Sequence, residues 1–260
     1  MKSPAEAVVR DAVDADNEAL VRLSVACPME GDIGLAVDRA PDFFVLNRLE
    51  GERWRVGVVE GPQADPVGCI AVAQRTVYLD GRPATSMYVS DLKVHPDFRG
   101  GDIADALTRW ARDVCIEMSG PDVLLFFTVL AGNRSVQRRM AGPRGLPGAE
   151  VVATFQTQSV SLLWHRRPSG AGVTVRPAQA ADLEEMAELW ARLAPMHQFA
   201  HTFTATSLAA WIDAAPALDL SSYSVARWSD GGLAGFMGAW DQSSFKRLRV
   251  TGYSRRLAVA

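Results

Sequence analysis

The chain has 260 residues, 48% of them apolar and 22% charged, with a formal net charge of −3. That composition suits a globular protein with a sizeable core and gives no electrostatic case for nucleic acid or an anionic membrane as partner. Cys27, Cys69 and Cys115 lack CxxC spacing and read as reduced thiols. The N-terminal residues lack the order of a signal peptide, and no apolar run is long enough to span a bilayer. A cytoplasmic location is therefore expected.

In chain order, the pattern predicts a strand at 6–10 and a helix at 14–26, then a mixed segment at 27–50. Strands follow at 53–60 and 67–77, with turns at Gly61-Pro62 and Asp65-Pro66. Another strand, 84–94, follows the turn Asp80-Gly81-Arg82-Pro83. A helix is predicted over 102–118, because Ile103, Leu107, Trp110, Ala111, Val114 and Met118 form one apolar stripe. Gly120-Pro121 stops it. Residues 123–130 read as a strand buried on both faces, followed by a short helix at 134–141 and two strands near 150–163. Strands around one central helix predict a mixed α+β sheet.

The chain starts twice. Val9-Arg10-Asp11-Ala12-Val13-Asp14-Ala15-Asp16 aligns with Val175-Arg176-Pro177-Ala178-Gln179-Ala180-Ala181-Asp182 at an offset of 166. Val67-Gly68-Cys69-Ile70-Ala71 echoes Ala234-Gly235-Phe236-Met237-Gly238, with the glycines 167 apart. Two matches at nearly one offset predict an internal repeat. The cluster Arg166–Gly172 reads as the join, giving domains at 1–167 and 173–260 with a linker at 168–172. The second unit would reach its fourth strand at about 250–261 and its own phosphate loop near 265. It thus reads as a half domain without such a loop. Its expected unpaired sheet edge favours self-association into a homodimer.

The chemistry is expected at Arg99-Gly100-Gly101-Asp102-Ile103-Ala104, between the strand 84–94 and the helix. A helix start carries unpaired N–H groups and partial positive charge, and glycines admit a ligand close to the backbone. The spacing is neither that of a P-loop nor that of a Rossmann turn. The same residues also read as a plain strand-to-helix turn capped by Asp102.

This loop resembles that of the GNAT N-acetyltransferase superfamily, Arg/Gln-x-x-Gly-x-Gly/Ala, through Arg99, Gly100, Ile103 and Ala104. Asp91-Leu92-Lys93-Val94-His95-Pro96 is similar to the family's fourth strand. Asp102 stands where the family has its second glycine. The resemblance implies a GNAT fold followed by a partial GNAT-like unit, with acetyl-CoA or another acyl-CoA as cosubstrate and no metal. It implies that Arg99, Gly100, Gly101, Asp102, Ile103 and Ala104 cradle the pyrophosphate. It implies that backbone groups of Leu92 and Val94 pair with the pantetheine arm, and that Asn133 bonds the same arm or the pyrophosphate. Asn133 also reads as an N-cap for 134–141.

The resemblance further implies direct attack of an amine on the thioester, with the oxyanion held by a backbone N–H near Val94. Asp91 is the candidate base, and an ordinary salt-bridge role is the alternative for it. Met140 occupies the position of the family's usual tyrosine acid. Arg134, Arg138, Arg139 and Arg144 read either as partners of the 3′-phosphate or as a solvated face. His197 and His201, four residues apart, lack the neighbours of a metal site. Trp190, Phe199, Phe203 and Trp211 read as core or as a cover over the substrate. The expected function is N-acylation of a small-molecule or peptide amine. A non-catalytic acyl-CoA-binding module is the alternative.

Overall fold

A computed structural model describes residues 7–29, 33–130, 133, 136, 150–156 and 172–253. The first unit is a five-stranded sheet of order β1-β3-β4-β5-β6. Its strands are β1 (Val9–Asp11), β3 (Arg53–Glu60), β4 (Pro66–Leu79), β5 (Arg82–Val94) and β6 (Leu124–Phe126). β1, β3, β4 and β5 pair antiparallel, and β6 joins β5 in parallel. Helices α1 (Asn17–Ala26) and α2 (Val45–Glu50) cover one face, and α3 (Ile103–Ser119) covers the other.

The packing follows from the sequence pattern. The α3 stripe buries Leu107, Ala111, Val114 and Met118 on Val59, Ile70, Val72 and Met87. Leu20, Leu23, Phe43 and Phe44 fill the opposite face over Val56, Val58, Cys69 and Ala71. β4 therefore lies between two apolar layers and is buried from Pro66 to Ala73. Gly57 is required where Trp110 of α3 crosses β3, since a Cβ there would come within 2.6 Å of the indole. The three cysteines are free thiols.

The second unit repeats the first in atomic detail. It holds β7 (Val173–Pro177), α4 (Leu183–Leu193), α5 (Ala205–Ala214), β8 (Tyr223–Trp228) and β9 (Leu233–Gly238), with sheet order β7-β8-β9. Arg10 binds both oxygens of Asp16 at 2.8 Å, and Arg176 binds both oxygens of Asp182 at 2.7 Å. The N–H of Val13 donates to Asp16, and that of Gln179 to Asp182, each at 2.8 Å. The register repeats as well: Val59 faces Gly68 in one sheet, and Ala226 faces Gly235 in the other.

Three expectations need correction. Residues 123–130 do not form a long strand buried on both faces. Only Leu124–Phe126 pairs, at the sheet's end, where Leu124 and Leu125 are each 38% exposed. The strand near 250 does not extend the second sheet. β10 (Arg247–Tyr253) instead pairs antiparallel with β2 (Ile33–Asp38) of the first unit, tied by Arg249 to Asp38. Residues 150–156 hold no strand. The rest of that region, the linker 168–171 and most of the helix expected at 134–141 lie outside the described residues.

Candidate functional site

β5 carries a bulge. Cys69 faces Lys93 and Ala71 faces Ser90, so Asp91 and Leu92 together oppose Ile70. Asp91 takes the left-handed conformation, φ 53°, which an aspartate tolerates and a bulge uses. The strand then separates from its neighbour. β6 pairs only with Ser86, Met87 and Tyr88. Beyond Tyr88, the outer edge of β5 through Val94 has no strand beside it among the described residues. An unpaired edge offers backbone N–H and C=O groups to an extended ligand with amides. The Val94 carbonyl is already engaged, accepting from Arg99 Nε at 3.2 Å and Cys27 Sγ at 3.3 Å.

The loop after β5 has the features of an anion cradle. Gly100 has φ 89°, a conformation suited to glycine, and a Cβ at Gly100 or Gly101 would meet no atom within 4 Å. Ile103 packs on Gly68 and anchors the start of α3. The Asp102 side chain makes no capping hydrogen bond there, so its carboxylate does not compete for the N–H groups at the start of α3. A groove of about 600 Å³ opens beside the loop, lined in part by Val8, Arg10, Phe98, Gly101 and Asp102. A diphosphate fits these donors; the Asp102 carboxylate opposes it. Asn133 Oδ1 accepts from the N–H of Val136 at 3.2 Å, a capping contact. Met140 and the arginines at 134, 138, 139 and 144 lie outside the described residues.

On the α2 face, Asp91 is buried among cations. Burial alone would raise its pKa. Lys93 and Arg39 outweigh burial and hold the carboxylate well below the usual range. That pairing makes Asp91 a weak base. Asn47 also donates to it.

Glu50, the last residue of α2, was missed at the sequence level. It stands over β5, accepting from Ser90 Oγ at 3.0 Å. Burial, and then the nearby Asp91 carboxylate, push it up to about 7. Tyr88 lies beside it, with its hydroxyl 3.4 Å from Thr128 Oγ1 and its pKa raised by burial.

The second unit closes this face. Its segment 199–202 runs along the end of β4, where Phe199 N–H donates to Tyr78 and Tyr78 N–H to Ala200. Phe199 stacks on Phe126 at 4.6 Å between centroids. Trp211 Nε1 donates to Leu49 at 3.4 Å, and Trp190 Nε1 to His201 at 2.7 Å. His201 is pushed down to about 4 by burial and by Arg75 beside it. The Nε2 of His201 is turned to Arg75 Nη1, at 3.1 Å. Among the described residues no His, Cys, Asp and Glu side chains cluster as a metal site, and no helix is long and apolar enough to cross a membrane.

The sequence matches no protein-family model and no curated protein. Solved structures do match. Saccharomyces cerevisiae N-myristoyltransferase with bound myristoyl-CoA is 14% identical over 98% of this chain and 61% of its own, with a TM-score of 0.58. A second structure of that enzyme is 15% identical over 95% of this chain and 66% of its own, with a TM-score of 0.55. Glucosamine-6-phosphate N-acetyltransferase from Arabidopsis thaliana is 16% identical over 60% of this chain and 100% of its own, with a TM-score of 0.41. The fold is a mixed α+β sheet of the GNAT type.

Proposed function

We propose that this protein is an acyl-CoA-dependent N-acyltransferase acting on an amine, with Glu50 rather than Asp91 as the proton acceptor. One observation carries the reading: β5 leaves β6 after Tyr88, and Glu50 stands over Ser90 just beyond that parting. The acyl-CoA would lie along the open edge of β5 at Leu92 and Val94. Its diphosphate would sit on Arg99, Gly100, Gly101, Asp102, Ile103 and Ala104, at the start of α3. The bound structures of yeast N-myristoyltransferase support an acyl-CoA in this fold. The acceptor would enter from the α2 face, under the second unit.

An amine is an ammonium near neutral pH and must lose a proton before it attacks. A carboxyl near 7 is suited to take it, whereas Asp91 is not. Glu50 takes one proton from the ammonium first. The neutral amine then attacks, the N–C bond forms and the C–S bond breaks, and the second proton leaving the nitrogen passes through water to the departing thiolate. Asp91 then has a different role. It holds Lys93 and Arg39 in place and raises Glu50 by its charge.

Thiol release from acetyl-CoA with an amine panel tests the reading. Glu50→Gln should lower kcat by about 10²–10⁴-fold, and the wild-type rate should rise with pH through about 7. Coenzyme A binding with no turnover on any amine would leave the binding-module reading in its place. No binding and no thermal shift would remove both.

A further inference from the structure

Arg75 breaks the pattern set by the other arginines. Among the described residues, every other arginine that is buried or half-buried holds a carboxylate, namely Arg10, Arg39, Arg55, Arg176 and Arg227. Arg75 holds none. Its guanidinium lies 4.7 Å from the ring centroids of both Tyr88 and Phe126. Its Nη1 is 3.1 Å from His201 Nε2, and its Nε is buried with no partner. Two aromatic faces and a neutral imidazole compensate a cation only in part for lost water. The nearest acid, Glu50, makes no ion pair with it and is bonded to Ser90 instead.

The location makes this cation informative. Arg75 on β4 faces Ser86 of β5, and Tyr88 and Ser90 follow on the same face of that strand. Glu50 reaches Ser90 there, and Arg75 and Glu50 feel each other electrostatically. The second unit contributes His201 and Phe199 to the same cluster of side chains. One end of the cluster thus offers a base for an amine. The other offers a guanidinium whose counter-anion the described residues do not supply.

We propose that Arg75 is the anion-binding residue of the acceptor site and that the acceptor is an amino acid, its carboxylate on Arg75 and its amine at Glu50. The inference rests on the acyltransferase reading above. A guanidinium matches a carboxylate in shape and charge. The stacked rings of Phe126 and Phe199, with Tyr88, form an apolar wall suited to an apolar side chain. The second unit acts here as a positioning element. It brings His201 to Arg75 Nη1 and so fixes the guanidinium.

The test compares each of the twenty L-amino acids with its own amide, using acetyl-CoA and measuring thiol release. At least one acid should exceed its amide in kcat/KM by about tenfold or more. Arg75→Gln should narrow or remove that preference, raising KM for the acid by more than for the amide. Arg75 is half-buried, so Arg75→Lys serves as a second variant, with circular dichroism as the folding check. Lysine keeps the charge but not the fork, and should recover only part of the preference. If no acid exceeds its amide, or if both variants slow acid and amide alike, the proposal is overturned. Titration calorimetry of the preferred acid into the protein without acetyl-CoA separates the two readings. Binding that Arg75→Gln abolishes, with no turnover, would overturn the acyltransferase reading and keep the anion site. Turnover of neutral amines alone would do the reverse.

Discussion

The two units begin alike and diverge after their third strand. Both open with a strand, a turn and a helix locked by one arginine–aspartate clamp, Arg10–Asp16 and Arg176–Asp182. Both continue with two antiparallel strands in the same register. The first unit then adds β5 with its bulge, the glycine loop and α3. In the second, β10 crosses back to pair with β2. The clamps are carboxylates paired with arginines, whereas Glu50 and Arg75 are half-buried groups without an ion pair among the described residues. Both face β5, the strand that has no counterpart among the described residues of the second unit, and the proposed chemistry lies there.

The sharpest way to break the comparison is to cut each clamp. Asp182 binds Arg176 and also Arg227, whereas Asp16 binds Arg10, which keeps Glu60 as a second partner. Asp182→Asn leaves Arg176 without its carboxylate and Arg227 with Glu185 alone, and should cost about 3–5 kcal/mol in urea unfolding. Asp16→Asn should cost less, about 1–3 kcal/mol. Hydrogen bonds from Arg176 and from Arg10 hold the two carboxyls below the usual carboxylate range. The stability they add is therefore complete above about pH 4 and lost as pH falls through their native values. Equal costs for the two variants would show that the clamps are equivalent and that Arg227 adds nothing.

The next effect has the opposite sign. Glu50 ionises near 4.5 when unfolded and at about 7 in the native protein. The native state binds the extra proton between these values, so Glu50 removes stability as pH rises from about 4.5 to 7. The deficit is then full above 7, at about 2–3 kcal/mol. Glu50→Gln should therefore melt higher than wild type at pH 8 while losing activity, with the two proteins converging near pH 4.5. No clamp variant should behave this way. A Glu50→Gln protein that is less stable at pH 8 would make Glu50 a structural acid like Asp16.

Much of this was legible in the sequence. The repeat was visible because a clamp needs fixed spacing, and Arg10 and Asp16 recur six apart as Arg176 and Asp182. β3, β4, β5 and α3 were legible because alternation and a 3.6-residue stripe mark their faces. The pairing of β2 with β10 was not, since it joins residues about 210 apart and the alternation of Arg247-Leu248-Arg249-Val250 does not say which edge the strand joins. Glu50 ends the mixed segment 27–50, where no motif marks it. Only the fold sets it over Ser90. Arg75 falls near the end of the strand expected at 67–77, and no motif marks it either. Its missing counter-ion became visible only when segment 199–202 was seen along β4. Sequence patterning reports which face a residue takes, and a pKa depends on what lies opposite.

The smallest expected effect concerns the glycine loop, the feature the second unit shows no counterpart of among the described residues. Among the described residues Asp102 neither caps α3 with its side chain nor forms an ion pair, so its carboxylate adds negative charge where a diphosphate would bind. Removing it should help binding through electrostatics, by a few tenths of a kcal/mol to about 1 kcal/mol at an exposed helix start. Asp102→Gly also frees the backbone, which costs about 0.5–1 kcal/mol of folding stability against alanine. Asp102→Ala isolates the charge from that cost. Both variants should bind coenzyme A a few-fold more tightly by calorimetry, and the gain should shrink as salt screens the charge. Weaker binding by Asp102→Ala at low salt would mean that the carboxylate supports the loop, and that the strand-to-helix turn is shaped for the fold rather than for phosphate.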